Sequence, residues 1–191
     1  MSTNPKPFFT REQYLELEAT AEYKHEYANG EIFAMSGASR RHVTINDSLT
    51  VLLRTQLRGK QFRPYSSNLR LWIPPSDLYT YPDLMVVCGD EQLGPGDPDS
   101  IVNPTVIFEV LSPSTESYDR GKKFHHYLQV PSLQDYVLIA HDEVQVEHYI
   151  IKAPQCATYR SLTDLNDTLD LVSINCSLPL REIYEGIQLA S

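Results

Sequence analysis

Three runs of this 191-residue chain carry side chains suited to metal-assisted hydrolysis. Tyr81-Pro82-Asp83 opens an apolar run, Phe108-Glu109-Val110 lies late in a second, and Asp119-Arg120-Gly121-Lys122-Lys123 follows soon after. Glu109 is the most demanding of these residues. It sits inside an apolar segment, where an unpaired carboxylate is costly. If the two apolar runs pair as antiparallel strands, the start of the first lies beside the end of the second, and Asp83 meets Glu109. Two carboxylates at one point repel unless a cation joins them. Oxygen ligands favour Mg2+ (or Mn2+), which lowers the pKa of a bound water and steadies charge on an attacked phosphate. A nearby lysine would steady the same developing charge. Each residue also has a plainer reading. Asp83 could cap a turn after Pro82, Glu109 could pair with a buried Arg or Lys, and Lys123 could pair with Asp119 four residues earlier on a helix.

The elements that must position these groups are readable in outline. Thr10 to Gln13 reads T-R-E-Q, a capping-box pattern that opens a short helix. Asn29-Gly30 between His25–Ala28 and Glu31–Met35 predicts a hairpin with a type I′ turn. Ile45, Leu49, Leu52, Leu53 and Leu57 recur near helical period, which predicts a helix from Arg40 to Arg58 capped by Ser39 and stopped by Gly59. Strands are expected over Asn68–Ile73, Asp83–Val87, Thr105–Leu111, Asp135–Ala140 and Val144–Ile151, with shorter ones at Ala157–Arg160 and Leu169–Ile174. A helix starting near Glu116 or Tyr118, capped by Ser114 or Thr115, should run to Gln129, with Pro131 closing it. Asp90–Pro104, rich in Gly, Pro and Asp, reads as a loop that could serve recognition. The expectation is one α/β (α+β) domain over residues 1–191, with a central mixed β-sheet flanked by helices.

At this point the motifs acquire a likeness. Y-P-D at Tyr81–Asp83, F-E-V-L-S-P-S-T at Phe108–Thr115, and Y-D-R-G-K-K-F-H-H-Y at Tyr118–Tyr127 resemble a restriction endonuclease family abundant in cyanobacteria, of the PD-(D/E)XK nuclease superfamily. H-E-Y-A-N-G-E-I at His25–Ile32, then His42, fits the N-terminal pattern of that family, and D-Y-V-L-I at Asp135–Ile139 its next core strand. The resemblance implies a restriction-endonuclease-like core, a divalent-metal site and hydrolysis of DNA phosphodiester bonds. It carries Asp83 and Glu109 over as metal ligands, with the backbone carbonyl of Val110 as a third. The usual superfamily pattern places a lysine two residues after the glutamate, but Leu111 stands there. In this family the lysine sits on the following helix, which is the position of Lys123, with Lys122 the weaker candidate. A further acid from the hairpin often completes such sites. Glu26 and Glu31 both qualify, and Glu31 is slightly favoured.

Composition excludes other classes. The net charge of -9 argues against a nonspecific basic coat for DNA. There is no apolar run near the roughly 20 residues that span a bilayer, and Met1–Phe9 has no signal-peptide core, so a cytoplasmic protein is expected. The three cysteines, Cys88, Cys156 and Cys176, lack zinc spacing and read as small buried hydrophobes. His125 and His126 are adjacent on a helix and point about 100° apart, so a structural role is expected. Ser112, Ser114 and Thr115 lack the G-x-S-x-G setting of a nucleophile, and no phosphate-binding G-x-x-x-x-G-K run exists. A homodimer would suit cutting of two strands. The competing reading is a nuclease-like fold that binds nucleic acid or a partner protein without cutting.

Overall fold

The computed structural model describes residues 7–113, 115–153 and 156–188. The chain enters α1 (Arg11–Glu18) through a reciprocal capping box between Thr10 and Gln13. β1 (His25–Ala28) and β2 (Glu31–Ala34) turn on Asn29 and Gly30, whose φ values of 48° and 86° are the positive pair that a type I′ turn requires. α2 (Arg40–Gln56) starts at Ser39, whose side chain accepts from the His42 N–H, and buries Ile45, Leu49 and Leu53. β3 (Phe62–Ser66), β4 (Arg70–Ile73), β5 (Leu78–Thr80) and β6 (Leu84–Cys88) follow. β7 (Leu93–Gly94) and β8 (Asp97–Ile101) precede β9 (Pro104–Leu111). A helical segment then comes in three pieces: α3 (Glu116–Tyr118), a π turn (Asp119–Lys123) and α4 (Phe124–Tyr127). β10 (Asp135–Ala140), β11 (Val146–Ala153) and β12 (Cys156–Leu162) lead to the ribbon of β13 (Thr168–Leu171) and β14 (Cys176–Pro179), and α5 (Leu180–Ile183) comes last.

The central sheet has the order β12-β11-β10-β9-β6-β3. β9 and β10 are parallel and the other pairs antiparallel, so the sheet is mixed. β9 and β10 are buried along their whole length, which accounts for their unbroken apolar sequences. A second mixed sheet, β2-β1-β5-β4-β8-β7, lies beside it. One face of the central sheet packs Leu84, Phe108, Val110, Val137 and Ile139 against α2, α5 and the β13–β14 ribbon. The other face packs Met85, Ile107, Leu111 and Leu138 against Tyr127 and against Leu71, Ile73 and Leu78 of the second sheet. The fold is α+β, as expected.

Several local expectations are corrected. Residues 90–104 are not a plain loop, because β7 and β8 lie within them, and Ser100 and Ile101 pair with Arg70 and Leu71 of β4. Asp97 is buried there and holds Arg70 through two oxygens, so a tertiary ion pair overrides the turn-like composition. β3, β5 and β14 are also short strands that the sequence reading did not single out. The helix after β9 ends near Tyr127 and is broken by the π turn. Thr115 precedes it without a side-chain cap, and the alternative cap Ser114 lies outside the described residues. Of the cysteines only Cys176 is fully buried, and Cys156 is exposed. No described helix is long and apolar enough to cross a membrane.

Candidate active site

The antiparallel register of β6 and β9 pairs Leu84 with Phe108, so Asp83 arrives next to Glu109 and Val110. The contact is direct. Asp83 Oδ2 accepts from the Val110 N–H at 2.8 Å, and the Asp83 N–H points at Glu109 Oε2 at 3.4 Å. In an extended strand a residue's N–H and C=O face the same side. The Val110 carbonyl therefore shares the Asp83 side, beyond the last paired residue of β6. The neighbouring side chains of β9, Phe108 and Val110, belong to the α2 face, while Glu109 is on the opposite face, toward the helical segment.

That segment supplies the basic partner. Lys123 Nζ lies 2.9 Å from Glu109 Oε1, and the Tyr127 hydroxyl, four residues on, donates to the same oxygen at 2.6 Å. Lys123 is also 3.6 Å from Asp119 Oδ1 and 3.7 Å from Glu26 Oε1. Lys123 therefore makes the i,i+4 pair with Asp119 that the plainer reading expects, and the same ammonium contacts Glu109. Across the sheet end, His42 on the first turn of α2 places Nε2 2.9 Å from Asp83 Oδ1.

The charges do not balance. Glu26, Glu109 and Asp119 surround a single lysine, and Asp83 adjoins Glu109. Burial, reinforced by Asp83 and Asp119, pushes Glu109 up to about 8 against the pull of Lys123 and the Tyr127 hydroxyl. Burial also raises Asp119, opposed by Lys123. Lys123 moves the other way: burial alone would lower it, but Glu109, Glu26 and Asp119 outweigh that and hold it charged. A site of oxygen donors with excess negative charge fits a hard divalent cation. Asp83, Glu109 and the Val110 carbonyl are the groups that could hold one.

The hairpin acids resolve differently from the expectation. It is Glu26 that reaches Lys123, and it also accepts a short hydrogen bond from Thr80. Glu31, the acid favoured from sequence, pairs with Ala28 at the turn end of the same ribbon. Strand alternation puts it on the Glu26 face but two residues further along, diagonal to the acid that enters the cluster. Glu26 is the hairpin acid that the sequence leaves second to Glu31, and His42 belongs to the N-terminal pattern; Asp119 and Tyr127 are the cluster members that sequence reasoning does not single out. The i,i+4 spacing of Asp119, Lys123 and Tyr127 was a usable signal for both. The partner of His42 depends on how α2 crosses the sheet. Lys122 forms no ion pair among the described residues. His126 bonds to Ser76 Oγ at 2.7 Å, in keeping with a structural role.

A second network fixes the Tyr81-Pro82-Asp83 turn. The Tyr81 hydroxyl donates to Glu18 Oε1 at 2.7 Å and receives from Arg70, which is anchored by buried Asp97. Glu18 in turn bonds the His25 ring and backbone N–H. α1, β1, β4 and β8 thus all hold the residue two positions before Asp83.

Comparison with known proteins places the chain in a family. A family model, Uma2, described as "Putative restriction endonuclease", matches residues 11–180. Two uncharacterised proteins of Synechocystis sp. (strain ATCC 27184 / PCC 6803 / Kazusa) are similar. The protein slr1290 is 37% identical over 187 residues, covering 96% of this chain and 95% of its own. The protein sll1609 is 37% identical over 140 residues, covering 73% and 79%. Among solved structures, a crystal structure described as a putative nuclease belonging to DUF820, from Anabaena variabilis ATCC 29413, superposes with a TM-score of 0.77. It is 20% identical, with 94% of this chain and 99% of that chain covered, and the likeness is one of fold.

Proposed function

The chain belongs to the Uma2 family, described as putative restriction endonucleases, and from that membership we propose that it is a divalent-metal-dependent endonuclease hydrolysing phosphodiester bonds of DNA. The observation that carries the reading is the meeting of Asp83, Glu109 and Lys123, drawn from three separate runs of sequence, at one end of the central sheet. Asp83, Glu109 and the Val110 carbonyl would hold Mg2+ (or Mn2+). When bound, the metal supplies a water of lowered pKa and offsets charge on the phosphate.

The protein's own groups have separate tasks. Tyr127 fixes Glu109 by donating to Oε1, leaving Oε2 on the Asp83 side. His42 and the Val110 N–H each engage one oxygen of Asp83 and so fix the orientation of its carboxylate. Lys123, kept protonated by its acidic neighbours, can donate to a phosphate oxygen or an attacking water. Glu26 and Asp119 keep that ammonium in place. A homodimer would present two such sites to two strands.

One observation favours a second reading, a nuclease fold that binds without cutting. Among the described residues no three His, Cys, Asp or Glu side chains are grouped to hold a metal, and the Lys123 ammonium already sits among the acids. The deciding assay compares wild type, Asp83→Ala and Glu109→Ala on supercoiled and single-stranded DNA with Mg2+ or Mn2+. Metal-dependent nicking lost in both variants is the expected result. Folded wild type that cuts under neither metal would favour the second reading, and cutting that survives both substitutions would refute this site.

A further inference from the structure

Lys24 lies immediately before β1 and remains in the hairpin ladder, its carbonyl accepting from the Met35 N–H at 2.9 Å. It is two residues from Glu26, so the extended chain puts both on one face, roughly 7 Å apart along the strand. Glu26 turns inward to Lys123. Lys24 instead borders the site from the rim. Its Nζ lies 5.3 Å from the centre of the Tyr81 ring, two residues before Asp83, and that ring is itself fixed by Glu18 and Arg70.

The partners of this ammonium are unusual for the region. It donates to the Ser67 carbonyl at 2.7 Å and has two long contacts, Ser67 Oγ at 3.5 Å and Asn68 Oδ1 at 3.4 Å. All three are neutral, and Lys24 forms no ion pair among the described residues. Arg70, Arg120 and Lys123, by contrast, each hold a carboxylate. Partial burial lowers the pKa of Lys24, and the charges that oppose this are those of Asp83 and Glu18. An ammonium has three donors. Here one is well used and two are poorly used, beside a turn that carries a proposed metal ligand.

We infer that Lys24 is a phosphate-binding side chain, holding a backbone phosphate of the DNA strand as that strand enters the Asp83–Glu109 site. The inference rests on the nuclease reading above. A phosphate oxygen would replace the two long contacts and give the ammonium an anionic partner. In a chain of net charge -9 it would also give DNA an attractive point at the rim of an acidic pocket.

The test measures DNA binding with Ca2+ in place of Mg2+, as a function of salt, and cleavage with Mg2+ separately. Lys24→Gln should weaken binding about tenfold and reduce the slope of log affinity against log salt by about one. KM should rise by a similar factor while kcat changes little, and Lys24→Arg should restore most of both. Asn68→Asp, at an exposed turn position, places a carboxylate beside the ammonium without removing it and should weaken binding in the same direction. This variant keeps the inference testable if Lys24→Gln does not fold. Unchanged salt slope and KM in Lys24→Gln, or unchanged binding in Asn68→Asp, with wild type still cutting, would make Lys24 a structural tie and overturn the inference alone. Folded wild type that neither binds nor cuts DNA would remove the nuclease reading and this inference with it.

Discussion

Neighbouring residues of β9 meet opposite surroundings. Phe108 and Val110 enter a layer made of α2 leucines, the β13–β14 ribbon and α5, whose buried polar pair, Asp135 with His148, joins an acid to an imidazole. Glu109, between them, enters a layer where Lys123, Tyr127 and Asp119 are buried with it. The strand is equally buried on both sides. The apolar contacts of the first face stabilise it and its one buried acid has a partner of its own, whereas the other gathers acids that repel one another. Burial is therefore a poor guide to which side of a sheet stabilises the fold, and the sign of each neighbour decides.

The contrast can be tested by substitutions on each side. Glu109→Gln should lower metal-dependent cleavage by more than the roughly 100-fold typical of outer-shell partners of a metal, yet keep or raise the melting temperature of the metal-free protein. A clear loss of melting temperature would mean that Glu109 stabilises the fold through Lys123. Lys123→Met should also cost about 100-fold in rate. In addition it should destabilise the metal-free protein by about 3–5 kcal/mol, because Glu26, Glu109 and Asp119 lose their shared cation. Added Mg2+ should recover part of that loss in a thermal melt.

Smaller effects follow. Tyr127→Phe and His42→Ala remove groups that orient Glu109 and Asp83, and each should lower cleavage about tenfold. Metal titrations should then show weaker Mg2+ binding. Glu109 also gives the polar face a pH signature. Its pKa rises from 4.5 to about 8 on folding. The folded state then binds more protons in that window, so metal-free stability should fall as pH rises from 4.5 to about 8, and Glu109→Gln should flatten the slope. Metal affinity should rise across the same window, because the carboxylate must ionise to bind. On the apolar face, Leu49→Ala should cost about 2–5 kcal/mol of stability and leave cleavage per folded molecule unchanged.

The strand pair that joins Asp83 to Glu109 was legible because both runs are apolar and their acids stand at opposite ends. The I′ turn at Asn29–Gly30 and the capping box at Thr10 were legible because each is a local device. What escaped depends on long-range geometry. The choice of Glu26 over Glu31 follows from how the second sheet sits against the helical segment, and the hairpin sequence treats the two acids alike. The reach of His42 depends on the crossing of α2. β8 forms because Asp97 finds Arg70, although D-P-D-S-I reads as a turn.

The π turn at Asp119–Lys123 gives the helical segment two phases. Toward its start, Arg120 pairs with Glu116 of the preceding turn and reaches on to Glu147 of β11. Toward its end, Lys123, and beyond it Tyr127, face Glu109. A π turn holds about one residue more than an α turn, and each residue of an α-helix advances about 100°. Deleting Gly121 would therefore do more than shorten the segment. It would rotate the front of the helix against the back, so that Arg120 could keep Glu147 or Lys123 could keep Glu109, but one helix could not satisfy both. At this turn a change of one residue in length becomes a change of direction.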